Sequence, residues 1–130
     1  MIEIKPVKGP INTTVTVPGS KSYTNRALIT AALASGESVI TNALFSDDTR
    51  HMASSLNTLG IPTEEKRDSN SFIIQGKGGA IPARQANLFV GNAGTAMRFL
   101  TALLTLGHGV YEIDGIERMR ERPIQDLLDG

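Results

Sequence analysis

Apolar and polar positions change period several times along this chain, and each change marks an element. NTTVTV (12–17) alternates polar and β-branched apolar residues, the period of a half-buried strand, and Pro18-Gly19 closes it. From 20 to 34 the period turns helical. Leu28, Ala31 and Ala32 fall on one stripe, the small Ser35 extends it and Gly36 ends the helix. ESVITNA (37–43) reads as a short strand. Over 46–60 a Ser-Asp-Asp start, a Met52/Leu56/Leu59 stripe and Gly60 predict a second helix. TEEKR and SFIIQG, flanking Asp68-Ser69-Asn70, read as a hairpin.

The pattern resumes at 88. LFVG reads as a buried strand, NAGTAMRFLTALLTLG as a helix with Leu100, Leu103 and Leu104 inward, and VYEIDG as another strand. At an offset of 72 residues Gly91 falls on Gly19, Arg98 on Arg26 and Leu100 on Leu28. A duplicated β-α-β-α-β-β unit explains this, with unit one over about 12–76 and an incomplete unit two over about 86–130. RPIQDLLDG opens a third helical pattern at the end of the sequence, so a piece of a longer α/β protein is expected.

Composition narrows the chemistry. The 130 residues are 40% apolar and 20% charged, a globular composition, and Lys plus Arg (13) balances Asp plus Glu (13). No overall field points to nucleic acid or a membrane, so electrostatic specificity has to be local. The absence of cysteine excludes disulfides, thiolate nucleophiles and zinc-thiolate sites. FLTALLTLG (99–107) is too short to span a bilayer, and MIEIKPVKGP resembles neither a signal nor a transit peptide, so a cytoplasmic location is expected.

Local charge then stands out in VPGSKSYTNRAL (17–28). A helix start already carries partial positive charge and unpaired N–H groups, so Lys21 and Arg26 beside Ser20 and Ser22 are unfavourable there unless an anion faces them. Ser20 and Ser22 can cap, Gly19 can let backbone approach a ligand, and Arg26 shares a face with the Ser-Lys-Ser cluster. The plainer reading is a capped helix with surface cations. A Walker A loop is excluded because Ser20 separates Gly19 from Lys21.

GNAGTAMR (91–98) repeats the design: Gly91 and Gly94 let N–H groups near 94 and 95 converge, and Thr95 adds a hydroxyl. In ERMRERP, Pro123 biases Arg122 away from helix, which favours an extended segment with Arg118, Arg120 and Arg122 on one side. The plainer alternative pairs these arginines with Glu117 and Glu121. Asp47-Asp48 reads most simply as a helix cap, or as a partner that orients Lys21. His51 and His108 lack metal-ligand spacing and are expected on the surface; Met52, Met97 and Met119 are expected to pack.

PGSKSYTNRAL, GNAGTAMR and RMRERPI, with SDDTRHM between the first two, occur in the order and spacing of the 5-enolpyruvylshikimate-3-phosphate synthase family, which the chain resembles over most of its length. The resemblance implies one part of a lobe of a two-lobed α/β enzyme built from repeated β-α-β-α-β-β units. It implies enolpyruvyl transfer from phosphoenolpyruvate to the 5-hydroxyl of shikimate 3-phosphate, with no cofactor or metal. By motif match Lys21, Ser22 and Arg26 would bind shikimate 3-phosphate, with Lys21 catalytic and reaching both substrates. Asn92, Gly94, Thr95 and Arg122 would hold the phosphoenolpyruvate phosphate, with Asp48 and Arg98 in support. Phe99 departs from the Pro that many members carry after AMR. The rest of the same enzyme is the expected partner, in a monomeric parent, and the 130 residues alone are expected to be inactive. The related UDP-N-acetylglucosamine enolpyruvyl transferase fits less well, since it typically uses a Cys near the third motif and lacks the SKS…NR wording. A non-catalytic anion-binding module is the other alternative.

Overall fold

The computed structural model describes residues 2–130. Its first element is a helix, α1 (Lys21–Leu33), which begins where Ser20 takes an extended backbone and accepts the Tyr23 N–H on its side chain. Thr24 donates its hydroxyl to the Ser20 carbonyl at 2.8 Å and accepts the Leu44 N–H at 3.0 Å, tying the helix start to a distant loop. Leu28, Ala31 and Ala32 are buried as their period predicts. The helix ends at Leu33, before the predicted stop. Strand β1 (Ser35–Ile40) follows at once, so Gly36 sits inside a strand and Ser35 is exposed.

Helix α2 (Asp47–Thr58) starts with a reciprocal capping box: Ser46 Oγ accepts from Thr49 N, and Thr49 Oγ1 accepts from Ser46 N at 2.9 Å. Strands β2 (Thr63–Lys66) and β3 (Ser71–Lys77) form the predicted hairpin, turning through Arg67–Ser69 and a left-handed Asn70. With β1 they make an antiparallel sheet of order β1-β3-β2.

The chain continues through β4 (Gln85–Phe89), α3 (Gly94–Leu104), β5 (Val110–Asp114), then the short helices α4 (Glu117–Arg120) and α5 (Gln125–Leu128). Strands β4 and β5 pair in parallel with α3 as their crossover. Helices α1, α2 and α3 pack on one another, and α2 touches both β2 and β4. The elements therefore share one core, in which Leu28, Met52, Leu56, Phe72, Ile74 and Leu100 are fully excluded from solvent. At about 1.5–3 kcal/mol per buried large apolar side chain, that core holds the helix ends in register.

Two expectations fail. Residues 12–17 form no strand, and Val15 and Val17 are exposed. Their alternation carries β propensity only, and a strand is stabilised by its neighbours in a sheet, which nothing among the described residues supplies here. The order over 21–77 is thus α-β-α-β-β, without the leading strand expected there. Second, 117–120 is helical, which scatters the three arginines instead of aligning them. Met119, 3% exposed, draws the segment onto the core, and the bend that Pro123 forces comes only after the helix has ended.

Candidate functional site

The starts of α1, α2 and α3 meet at a polar cavity of about 510 Å³ whose wall is completed by Arg122. Lys21, Asp48, Asn92, Gly94 and Thr95 line it, with Asp47, His51, Ala93 and Ile116. Six of the nine sequence-predicted site residues therefore share one space, although they come from four separate motifs.

Each arrives for a local reason. Lys21 is the first residue of α1, and its Nζ lies 3.3 Å from Asp48 Oδ2 at the first turn of α2. Of the two sequence readings of Asp48, the cap fails, because Ser46 caps α2 and Asp48 lies within its first turn, where a negative charge suits the dipole; the pairing with Lys21 is the one present. Asp47 is instead exposed, with a loose contact to Arg50 at 3.9 Å. The α3 start differs. Ala93 precedes it and no side chain caps it, so its first-turn N–H groups have no side-chain acceptor. Gly94 donates its own N–H to the Asn92 carbonyl at 3.0 Å.

Arg122 enters across Gly94. A Cβ at position 94 would lie 2.7 Å from the guanidinium carbon, so only glycine leaves room for it, and Arg122 Nη1 donates to the Asn92 carbonyl at 3.2 Å. The arm carrying Arg122 is anchored by Arg120. Its Nε and Nη2 grip the two oxygens of Asp114 at 2.8 and 2.5 Å. That fork, with the Gly115 N–H on Oδ1, holds the Asp114 carboxyl down to about 2, and the same carboxylate raises the Arg120 guanidinium. Arg118 turns outward to Glu121, as the plainer sequence reading expects.

Three predicted residues stand apart. Ser22 and Arg26 face each other on the exposed side of α1, with Arg26 Nη1 donating to Ser22 Oγ at 2.8 Å and its guanidinium 5.7 Å from the centre of the Phe99 ring. Arg98 donates to the Pro123 carbonyl at 2.9 Å and lines a second, more apolar groove of about 670 Å³ between α3 and β5. Arg122 borders that groove too, where Arg120 is matched by Asp114 and Arg98 by carbonyls. Gly19 has a packing reason of its own: a Cβ there would lie 2.1 Å from the Asn42 carbonyl oxygen, so only glycine fits against 42–44.

Sequence reasoning placed His51 on the surface, yet it is half-buried and lines the cavity. The available signal was its spacing: three residues after Asp48 it shares a helix face with it. His108 is exposed as expected. No helix of the described residues is long and apolar enough to cross a membrane.

The class so defined is a mixed α/β protein in which three helix starts, a lysine and an arginine close on one polar cleft. The family model described as EPSP synthase (3-phosphoshikimate 1-carboxyvinyltransferase) matches residues 6–130, and the chain belongs to that family. It is 54% identical over 127 residues to 3-phosphoshikimate 1-carboxyvinyltransferase of Trichormus variabilis, covering 98% of this chain and 30% of that protein. Against the same enzyme of Ralstonia nicotianae identity is 50% over 129 residues, 99% of this chain and 29% of the other. The solved EPSP synthase from Acinetobacter baumannii superposes with a TM-score of 0.74 at 26% identity, covering 88% of this chain and 26% of that one. The chain thus spans about 30% of the length of the curated relatives it matches.

Proposed function

We propose that these residues form one wall of the active site of an enolpyruvyl transferase, part of one lobe of a two-lobed enzyme assembled from repeated β-α-β-α-β-β units. Its substrates are shikimate 3-phosphate and phosphoenolpyruvate. The observation that carries this reading is the convergence of Lys21, Thr95 and Arg122 on a single cavity beside an uncapped helix start.

Both substrates are anions and repel each other, so a site that joins them has to supply positive charge from several sides. The phosphate of phosphoenolpyruvate sits at the α3 start against Asn92, Gly94 and Thr95, with Arg122 over it. Shikimate 3-phosphate lies toward α1, where Ser22 and Arg26 reach it, and Lys21 stands between the two. Arg98 adds to the positive field, and Asp48 keeps Lys21 aimed when the site is free.

Chemistry then follows from the substrates. A proton added at C3 of phosphoenolpyruvate makes C2 electrophilic. The 5-hydroxyl of shikimate 3-phosphate attacks C2 and gives up its proton, leaving a tetrahedral intermediate with phosphate and the new ether on one carbon. Loss of a proton from C3 and departure of phosphate restore the double bond. Lys21, mobile and cationic, is the proton-transfer partner within these residues and stabilises the leaving phosphate. The remaining acid–base groups belong to other parts of the enzyme, and the 130 residues alone are expected not to turn over.

Two measurements test this. Amide resonances near 20–26 should shift with shikimate 3-phosphate and not with UDP-N-acetylglucosamine; the reverse response would overturn the assignment. Phosphate release from both substrates should be absent for this chain alone. Sustained turnover would refute the need for further residues.

A further inference from the structure

Gly91, where β4 gives way to the α3 start, is held from two sides. Its backbone is left-handed at φ +56°, and its carbonyl accepts the Ile116 N–H at 3.0 Å. His51 of α2 fills the space where a side chain would stand: a Cβ on Gly91 would lie 2.5 Å from its Nε2. The same ring stands edge-on to Phe89, the last residue of β4, with centroids 5.8 Å apart and planes at 74°.

A glycine in this conformation pays no steric penalty but restrains nothing, so the turn has to be fixed by what packs on it. We propose that His51 is a positioning residue for the phosphate-holding turn, its ring wedged between Phe89 and Gly91. Helix α2 then sets both halves of the cleft from one face. Asp48 holds Lys21 of the first turn, and His51, three residues on, braces Gly91 of the second. The separation between the lysine and the α3 start is thereby fixed by a rigid element and not by two glycine loops. This inference rests on the enolpyruvyl-transferase reading of the cleft.

The test is phosphoenolpyruvate and shikimate 3-phosphate affinity, followed by amide shifts in the chain as it stands. His51→Ala should weaken phosphoenolpyruvate binding about tenfold, as a displaced positioning group does, while shikimate 3-phosphate affinity changes less than about twofold. Gly91→Ala, which drives a methyl into the ring's place, should show the same split. His51→Phe restores a ring and should recover binding to within about twofold of the parent. If His51→Ala loses its dispersed spectrum, His51→Gln, which loses the flat ring but keeps a polar arm, should show the split instead. Unchanged phosphoenolpyruvate affinity, or equal weakening for both ligands, overturns the positioning role and leaves the functional reading standing. A parent chain that responds to neither ligand overturns both.

Discussion

The turns at 19–26 and 91–98 carry Gly and Arg at matching positions but are built differently. Each leads into a helix that carries a buried leucine, Leu28 in one and Leu100 in the other, both fully excluded from solvent. At the mouth they diverge. The first turn is finished internally: Ser20 caps it, Gly19 is pressed on the Asn42 carbonyl, and only the Lys21 side chain reaches the cleft. The second is left open. No side chain caps α3, Gly94 clears a path for Arg122, and the turn presents backbone N–H groups as well as side chains. Two similar turns can thus keep the same buried leucine while one offers the cleft a lysine side chain and the other an uncapped helix start.

The largest effect that would break this contrast is at Lys21. In an enzyme carrying this segment, Lys21→Met should lower kcat by roughly a hundred- to a thousandfold, the range for losing one preorganised stabilising group, with unfolding unchanged. An unaltered rate would remove Lys21 from the chemistry. Next come the glycines. Gly19→Ala meets backbone and should lower stability by about 1–3 kcal/mol in a denaturant titration. Gly94→Ala meets only the movable Arg122 side chain, so it should leave stability nearly intact and weaken phosphoenolpyruvate binding. Equal stability losses would mean the two turns are built alike.

Smaller effects sharpen the same point. Ser20→Ala should cost about 0.5–1 kcal/mol as a lost cap. Asn92→Ala, at the matching position of the uncapped helix, should stay within about 0.5 kcal/mol of the parent. The smallest is acid titration of Asp114, which has no counterpart in the first turn. Its folded pKa lies below the unfolded value, so its contribution is complete above the ordinary carboxylate range and is lost as pH falls through about 2. Its carboxyl resonance should titrate near 2, and Arg120→Met should return the midpoint toward 3.8. A midpoint already near 3.8 in the parent would deny the clamp.

Local pattern carried most of the architecture. The Leu28 and Met52/Leu56/Leu59 stripes, the Ser46 start and the Asp68–Asn70 hairpin are short-range signals, and each folds as read. What failed depended on partners far along the chain. Alternation at 12–17 names a strand but cannot provide its neighbour, and a period-two reading of the arginines missed that Met119 is drawn into the core. At the cleft, residue types and order pointed to Lys21, Gly94, Thr95 and Arg122 and to Asp48 as a partner for Lys21, the family resemblance added Asn92, and all six line one cavity. Gly19's contact with Asn42 and His51's with Gly91 join segments more than 20 residues apart, and no local spacing encodes them.

The most direct test is a crystal structure of this chain grown with phosphoenolpyruvate and shikimate 3-phosphate. Shared use of one cleft predicts a phosphoryl group within about 3 Å of the Arg122 guanidinium and the Thr95 N–H, the ordinary hydrogen-bond distance, with Lys21 released from Asp48 toward it. Phosphoryl density confined to the apolar groove beside Arg98, with the Lys21–Asp48 pair undisturbed, would contradict it.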